Sequence, residues 1–387
     1  MIAVCEPQCN DGAHEMCNAG FLILLCKTFP QKKIFFIAAP SHVEAVKRCL
    51  GQVNISFENI IFSPVDIPTV DFSLQCFFQT YSFYKKIFEL LTLKNIKHCV
   101  FLSSHTVNLL VLKLLQKKRC SQVSFVVFVH SILEYACRSF LWGITKKREI
   151  RWLQYFKYAL LRGSNSHIQY VVLSPFIQKQ LSKNAEFSKL PVTALLHPLV
   201  IDVKSEIFTH DNVRLGIIGS GDSANNARII DTLLKEKNCT NYTLKYFSRG
   251  VPENTLYAAK NVQPIYDAEF IPRERISKEM QDIDILLYCY PKNSYQYAQS
   301  GAFFEIFQYN NPAIFLDNEH FIFFNESGLP IGRSVHTFNE MADLLAKVVN
   351  KQESTIMEFL TFQKNIQIRR REIELSQIET CQYLFKT

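Results

Sequence analysis

Ser300-Gly301-Ala302-Phe303-Phe304-Glu305-Ile306-Phe307-Gln308-Tyr309-Asn310-Asn311-Pro312-Ala313-Ile314-Phe315-Leu316 is the stretch whose reading decides the fold. Small residues at 300–302 open a short helix, Glu305 stands on its first turn, and Pro312 restarts the chain into an apolar strand. A helix start without bulky side chains exposes backbone N–H groups and the positive end of the peptide dipoles, which suits a phosphate or diphosphate. Glu305, one turn on, is placed to accept hydrogen bonds from sugar hydroxyls. The same residues also describe an ordinary capped helix with a solvated Glu. The surrounding sequence decides between the two.

Upstream, Ile283-Asp284-Ile285-Leu286-Leu287-Tyr288 and Leu244-Lys245-Tyr246-Phe247 read as buried strands. Their series begins at Val213-Arg214-Leu215-Gly216-Ile217-Ile218, after the turn His197-Pro198 and the polar stretch 202–212. The first half has the same rhythm: apolar runs at 2–5, 33–38, 59–62, 99–102 and 123–129 alternate with helical periods at 41–50, 77–91 and 106–117. A long helical segment at 139–162 interrupts it before 170–173 and 174–182 resume it. Strand and helix alternating in this way imply parallel sheets covered on both faces. The expected class is α/β, with two doubly wound Rossmann-like domains facing a cleft and ligands at the strands' C-terminal ends. We expect an N-terminal domain over 1–203, a C-terminal one over 204–364, and a final helix, about 365–387, packing back on the first.

With 387 residues, 48% of them hydrophobic and 20% charged, the chain can build packed cores for two or more domains. The net charge of +8 favours an anionic partner without naming it. Twelve scattered cysteines with no CxxC pair read as buried reduced thiols, which places the protein in the cytoplasm. Cys5, Cys9, His14 and Cys17 crowd together, but their spacing is not that of a zinc site, so no metal is expected. No run is long and apolar enough to span a membrane.

The strand 215–218 runs into Gly219-Ser220-Gly221-Asp222, followed by a helix carrying Arg228. Glycines here let backbone amides approach a phosphate, and Arg228 can add a forked, charge-assisted contact. The third glycine of a dinucleotide fingerprint is missing, so the turn does not read as a nicotinamide site. A tight turn with a surface Arg is the competing description.

Taken with Asp282-Ile283-Asp284, Tyr290-Pro291 and the loop Asn10-Asp11-Gly12-Ala13-His14-Glu15, the stretch from Ser300 to Ile314 resembles the donor-binding signature of GT-B glycosyltransferases, of the glycogen synthase-like type. The resemblance spans nearly the whole chain. It implies that Glu305 binds the nucleotide ribose, that Gly301 and Ala302, beside Ser300, present amides to the diphosphate, and that the 10–15 loop carries acceptor-side or catalytic groups. Retaining members carry a second Glu eight positions before the ribose-binding one, and this chain has Tyr297 there. Retention therefore does not carry over, and Tyr297 becomes a candidate contact to the donor sugar.

An inverting transfer needs a general base for the acceptor hydroxyl. His14, Asp11 and Glu15 are the candidates on the first-domain loop, with His14 favoured, and His130 at the end of the strand 123–129 is a further one. Helix capping also accounts for Asn10 and Asp11, and a His at a strand end is commonly structural. Asp282 and Asp284 form a DxD pattern but fall at a strand's entry, away from the ligand end, so no metal is assigned to them. Amides and Arg228 would carry the leaving-group charge without a cation or other cofactor.

Residues 138–162 hold seven basic side chains against Glu149, interleaved with aromatics that include both tryptophans. Trp142, Lys146, Lys147, Arg148, Arg151 and Trp152 form a candidate surface for an anionic membrane, and core packing of the aromatic face is the alternative. No nucleic-acid motif accompanies the charge. The expected activity is metal-independent transfer of a sugar from a nucleotide-diphosphate donor to a glycan or lipid-linked acceptor, at the inner face of the cytoplasmic membrane, in bacterial surface-polysaccharide or lipopolysaccharide synthesis. A nucleotide-sugar epimerase of the same architecture and a non-catalytic scaffold docked on a membrane are the rivals.

Overall fold

The computed structural model describes residues 1–387 except 11, 13, 54–56, 69–72, 120–122, 131, 139–152, 154, 163–166, 201–205, 220–221, 250–256, 268–270 and 387. The chain divides into two compact units: Met1–Val200 with Tyr295–Gln299 and Glu374–Thr387, and Ile201–Ser294 with Ser300–Ile373.

The first unit is built on a seven-stranded, all-parallel sheet in the order β3-β2-β1-β4-β5-β6-β7. Its strands are β1 (Ile2–Cys5), β2 (Ile34–Ala38), β3 (Ile60–Pro64), β4 (His98–Phe101), β5 (Ser124–Phe128), β6 (Ile168–Val172) and β7 (Val192–Ala194). Its helices are α1 (Glu15–Thr28), α2 (Pro40–Leu50), α3 (Leu74–Leu93), α4 (Thr106–Arg119), α5 (Leu133–Ala136), α6 (Phe156–Leu161) and α7 (Pro175–Lys183). The central strands β1 and β4 are buried at every position because helices cover both faces. Alternation sends Phe35, Phe101 and Phe125 into one layer with Tyr84 and Phe88 of α3, where Tyr84 stacks on Phe101 at 5.0 Å. The other face meets α1 and α2, with Phe21 edge-on to Phe128 at 5.1 Å and Phe36 beside His42.

The second unit repeats the plan with six parallel strands in the order β10-β9-β8-β11-β12-β13. These are β8 (Val213–Ile217), β9 (Tyr242–Arg249), β10 (Val262–Asp267), β11 (Ile285–Tyr288), β12 (Ala313–Leu316) and β13 (Gly332–Val335). Its helices are α8 (Ser223–Glu236), α9 (Arg273–Gln281), α10 (Glu305–Tyr309), α11 (Glu319–Glu326), α12 (Phe338–Val349) and α13 (Glu353–Leu384). Two sheets of this kind, each with helices, make two Rossmann-like domains. In both, the strand order reverses beside the first strand, at β1/β4 and at β8/β11, and the crevice outside the strand ends at such a switch point is where ligands bind in this class.

Where a single helix is expected after Ser300, the structure has a 3-10 turn, Gly301–Phe304, followed by the five-residue α10. The tightening follows from packing. Phe303, Phe304 and Phe307 are all buried, and Phe303 lies 4.9 Å from Phe321 and 4.8 Å from Phe324. Phe303 and Phe304 both join one aromatic cluster with Phe324. Asn310 ends α10 at φ 59°, a left-handed position that Asn tolerates.

The tail, where a final helix over about 365–387 is expected, belongs to a single 32-residue helix, α13, that already starts at Glu353. Its basic cluster is largely structural. Arg369 donates to the carbonyls of Phe324 and Leu329 at 2.9 and 3.2 Å, and Arg370 to that of Phe307 at 2.6 Å, so two cations close the C-terminal ends of α10 and α11.

Candidate functional site

In the second unit the switch point is framed by the chain leaving β8 and the chain leaving β11. Gly219 follows β8 with φ +112°, and a Cβ on it would stand 1.5 Å from the Tyr290 hydroxyl. Only glycine fits, because the conformation is strained for other residues and the space belongs to a phenol. The Tyr290 hydroxyl is 3.2 Å from Ser300 Oγ, and both residues are buried. Tyr288 donates to the Ala302 carbonyl at 2.9 Å, and Asn318 holds the loop beyond Tyr290 through the carbonyls of Pro291 and Ser294 at 2.9 and 3.1 Å. Gly219 and the Ser300–Ala302 turn thus meet through Tyr290, with Tyr288 holding the far end of that turn. The Tyr290-Pro291 pair is legible in sequence directly after an apolar strand, but its contacts with Gly219 and Ser300 are not.

Ser220 and Gly221 lie outside the described residues. Asp222 caps α8 by accepting from the Asn225 amide at 3.1 Å. Arg228 is exposed and donates to Asn225 Oδ1 at 2.7 Å, so its fork is partly engaged along its own helix.

Glu305 is buried, not solvated. Its oxygens take a forked pair from Arg273 at 2.8 and 2.7 Å and a third bond from Gln308 Nε2 at 3.2 Å. Arg273, the first residue of α9, is a group missed in sequence, because nothing local links positions 273 and 305.

Asp282 and Asp284 sit at the opposite, entry end of β11. Asp284 accepts from the amides of Phe208 and Arg214 at 2.7 Å each and from Arg214 Nη2 at 3.0 Å. Asp282 pairs with Arg214 and with Lys245, the latter at 2.7 Å. Burial alone would raise the Asp282 pKa, but Lys245 and Arg214 outweigh it and hold the carboxyl below the usual range. Among the described residues, no group of three His, Cys, Asp or Glu side chains could hold a metal ion.

In the first unit, the loop after β1 is organised by Glu6, a buried carboxylate that sequence reading passed over. It accepts from the amides of Gln8 and Cys9 at 3.0 and 3.3 Å, from the Ser103 hydroxyl, and from Asn18 Nδ2 at 3.1 Å. Asn18 Nδ2 also contacts His42 Nε2 at 2.8 Å. Burial and the nearby Glu6 charge push the Cys17 thiol up to about 12, so it is a neutral packing group near pH 7.

His14 precedes α1 with φ 59°, exposed, its ring 4.9 Å from that of His130. A left-handed His is uncommon, and such positions cluster at functional sites. His130 Nε2 lies 3.0 Å from the Leu102 carbonyl, to which it must donate, leaving Nδ1 as acceptor. Burial first, then the neighbouring His14, push the His130 pKa down to about 3, so this ring is neutral near pH 7. Glu15 lies in the first turn of α1 beside Gly12, and Asp11 lies outside the described residues.

Tyr297 belongs with the first unit. Its amide donates to Glu134 Oε2 at 2.7 Å, and its ring packs on that unit's core. Trp142, Lys146, Lys147, Arg148, Arg151 and Trp152 lie outside the described residues. No described helix is long and apolar enough to cross a membrane.

No protein-family model matches the chain, and no curated protein matches it in sequence. Solved structures do. HepE from Anabaena, in complex with UDP and glucose, aligns over 99% of this chain and 100% of its own with a TM-score of 0.62 at 13% identity. A glycosyltransferase from Rickettsia africae covers 100% of this chain and 98% of its own, with a TM-score of 0.59 at 11% identity. A protein described as a UDP-N-acetylglucosamine 2-epimerase from Listeria monocytogenes covers 95% and 90%, with a TM-score of 0.56 at 12% identity. At such identities the likeness concerns the fold, and that fold is the one of the GT-B glycosyltransferases.

Proposed function

We propose that the protein is a glycosyltransferase that moves a sugar from a nucleotide-diphosphate sugar to a glycan or lipid-linked acceptor. The observation that carries the reading is the junction at the second switch point, where Gly219 and the Ser300–Ala302 turn meet through Tyr290. It is a pre-formed turn of small residues at a position where this class of sheet binds ligands. HepE, described with UDP and glucose, supports a nucleotide-sugar donor.

In this reading the amides near Gly219, Gly301 and Ala302 take the diphosphate, Arg228 turns to its charge, and Glu305 meets the ribose. Acceptor activation falls to His14, which is exposed beside the neutral His130. Burial keeps His130 neutral near pH 7 despite its bond to the Leu102 carbonyl, so its ring adds no positive charge beside His14. The donor charge is met by amides and Arg228, so chelators are expected to leave transfer unchanged. The basic aromatic segment 138–162 would hold the enzyme on an anionic membrane where a lipid-linked acceptor is presented, as in surface-polysaccharide synthesis.

The test is a melting-temperature panel with UDP, GDP, dTDP, ADP and CMP. One diphosphate should raise the melting temperature of the wild type by several degrees, and Glu305→Gln should abolish that rise. A panel with no rise in the wild type contradicts the reading. The likeness to the Listeria protein favours a second reading, a nucleotide-sugar epimerase, which predicts conversion of a nucleotide sugar with no acceptor present.

A further inference from the structure

Glu305 has more partners than a sugar-binding carboxylate needs. Oε1 accepts from Arg273 Nη1 at 2.8 Å, and Oε2 accepts from Arg273 Nη2 at 2.7 Å and from Gln308 Nε2 at 3.2 Å. Arg273 is itself held. Its Nη2 donates to the Tyr309 hydroxyl at 3.0 Å, its guanidinium lies 5.6 Å from the Tyr309 ring centre, and Ser277 Oγ sits 2.7 Å from the same hydroxyl. Arg273 opens α9 and Glu305 opens α10, so both ends of the pair are tied to helices.

An ionised carboxylate offers about four lone-pair directions. Arg273 uses two and Gln308 a third, which leaves one on Oε1. Reading the 2′- and 3′-hydroxyls together would take two. Ribose hydroxyls are neutral donors, and displacing a forked guanidinium with them would strand a buried charge on each side.

We infer that Arg273 is a positioning residue that reduces Glu305 to a single outward acceptor, so that the nucleotide site reads one ribose hydroxyl and not the vicinal pair. This rests on the reading that Glu305 meets the ribose of a nucleoside diphosphate. The consequence is a specificity asymmetry: one deoxy position is costly and the other is tolerated.

The experiment is calorimetric titration of the full chain with UDP, GDP and ADP, each as the ribo, 2′-deoxy and 3′-deoxy form. Wild type should bind one deoxy form of its preferred nucleotide roughly tenfold or more weakly, the cost of one hydrogen bond to a charged group, and the other within about threefold. In Arg273→Gln, with Oε1 and Oε2 released, both deoxy forms should weaken alike, whereas Arg273→Lys, keeping the charge without the fork, should fall between. A role confined to stability would lower the melting temperature and weaken all three forms equally, leaving the asymmetry in place. Equal losses for both deoxy forms in the wild type, no loss for either, or an asymmetry that survives Arg273→Gln would each overturn the inference. If Arg273→Gln does not fold, the wild-type pattern alone decides. Absence of binding by every ribonucleotide would overturn the donor-site reading and this inference with it.

Discussion

The two switch points of the molecule are built from the same topology and filled with opposite chemistry. At β1/β4 the loop after β1 carries titratable groups, buried Glu6 and exposed His14 in a left-handed conformation, beside His130, which follows β5 and is held neutral. At β8/β11 the loops carry shape: a glycine pressed on Tyr290, a turn of small residues, and a carboxylate already paired with Arg273. Titratable groups gather in the first unit, and close packing with a paired carboxylate marks the second. In the function proposed above, the second unit would bind the donor and the first would activate the acceptor.

The comparison breaks most severely at Gly219. Gly219→Ala would force a methyl to within 1.5 Å of the Tyr290 hydroxyl at φ +112°. We expect a loss of at least about 3 kcal/mol in the second unit, read by denaturant unfolding, together with loss of nucleotide binding. Tyr290→Phe should not rescue it, because the ring carbon that bears the hydroxyl would still be 2.6 Å away. A rescue by Tyr290→Phe would show that the ring moves and that the junction is softer than its geometry.

His14→Gln tests the other switch point. Transfer should fall by roughly 10²–10⁴-fold in kcat with nucleotide affinity unchanged, because the proposed donor contacts lie in the second unit and His14 in the first. An unchanged kcat would move the base elsewhere on the 10–15 loop.

The most gradual effect is a pH dependence. His130 and His105 have pKa values lowered by burial to about 3 and about 4, against an ordinary 6.5. As pH falls below 6.5 the unfolded chain takes up protons that the folded chain refuses, so stability is lost, by at most about 1.4 kcal/mol per pH unit for each group. The loss runs from pH 6.5 down to the folded values. Thermal unfolding between pH 7 and pH 4.5 should show this slope, and His130→Gln should reduce it.

Much of this was legible along the chain because it depends on local pattern. Apolar runs of four or five residues such as Ile34–Ala38 and Ile285–Tyr288, separated by helical periods, can bury both faces only in a parallel sheet. The small residues before Phe303 mark a turn for the same reason. What stayed hidden depends on partners brought together by folding. Arg273 meets Glu305 across 32 positions, Tyr290 lies under Gly219, and Ser103 reaches Glu6 across 97. Periodicity carries no trace of such pairs. The split of the expected helix into a 3-10 turn and α10 was hidden likewise, since it answers to Phe321 and Phe324 on another helix.

Hydrogen exchange of the full chain with and without its tightest nucleoside diphosphate tests most directly where the donor binds. The account predicts new protection confined to the amides around Gly219–Asn225 and Tyr290–Gln308. Protection centred instead on the first unit, such as its groove of about 730 Å³ lined by Ile37, Phe83, Lys86 and Ile87, would contradict it.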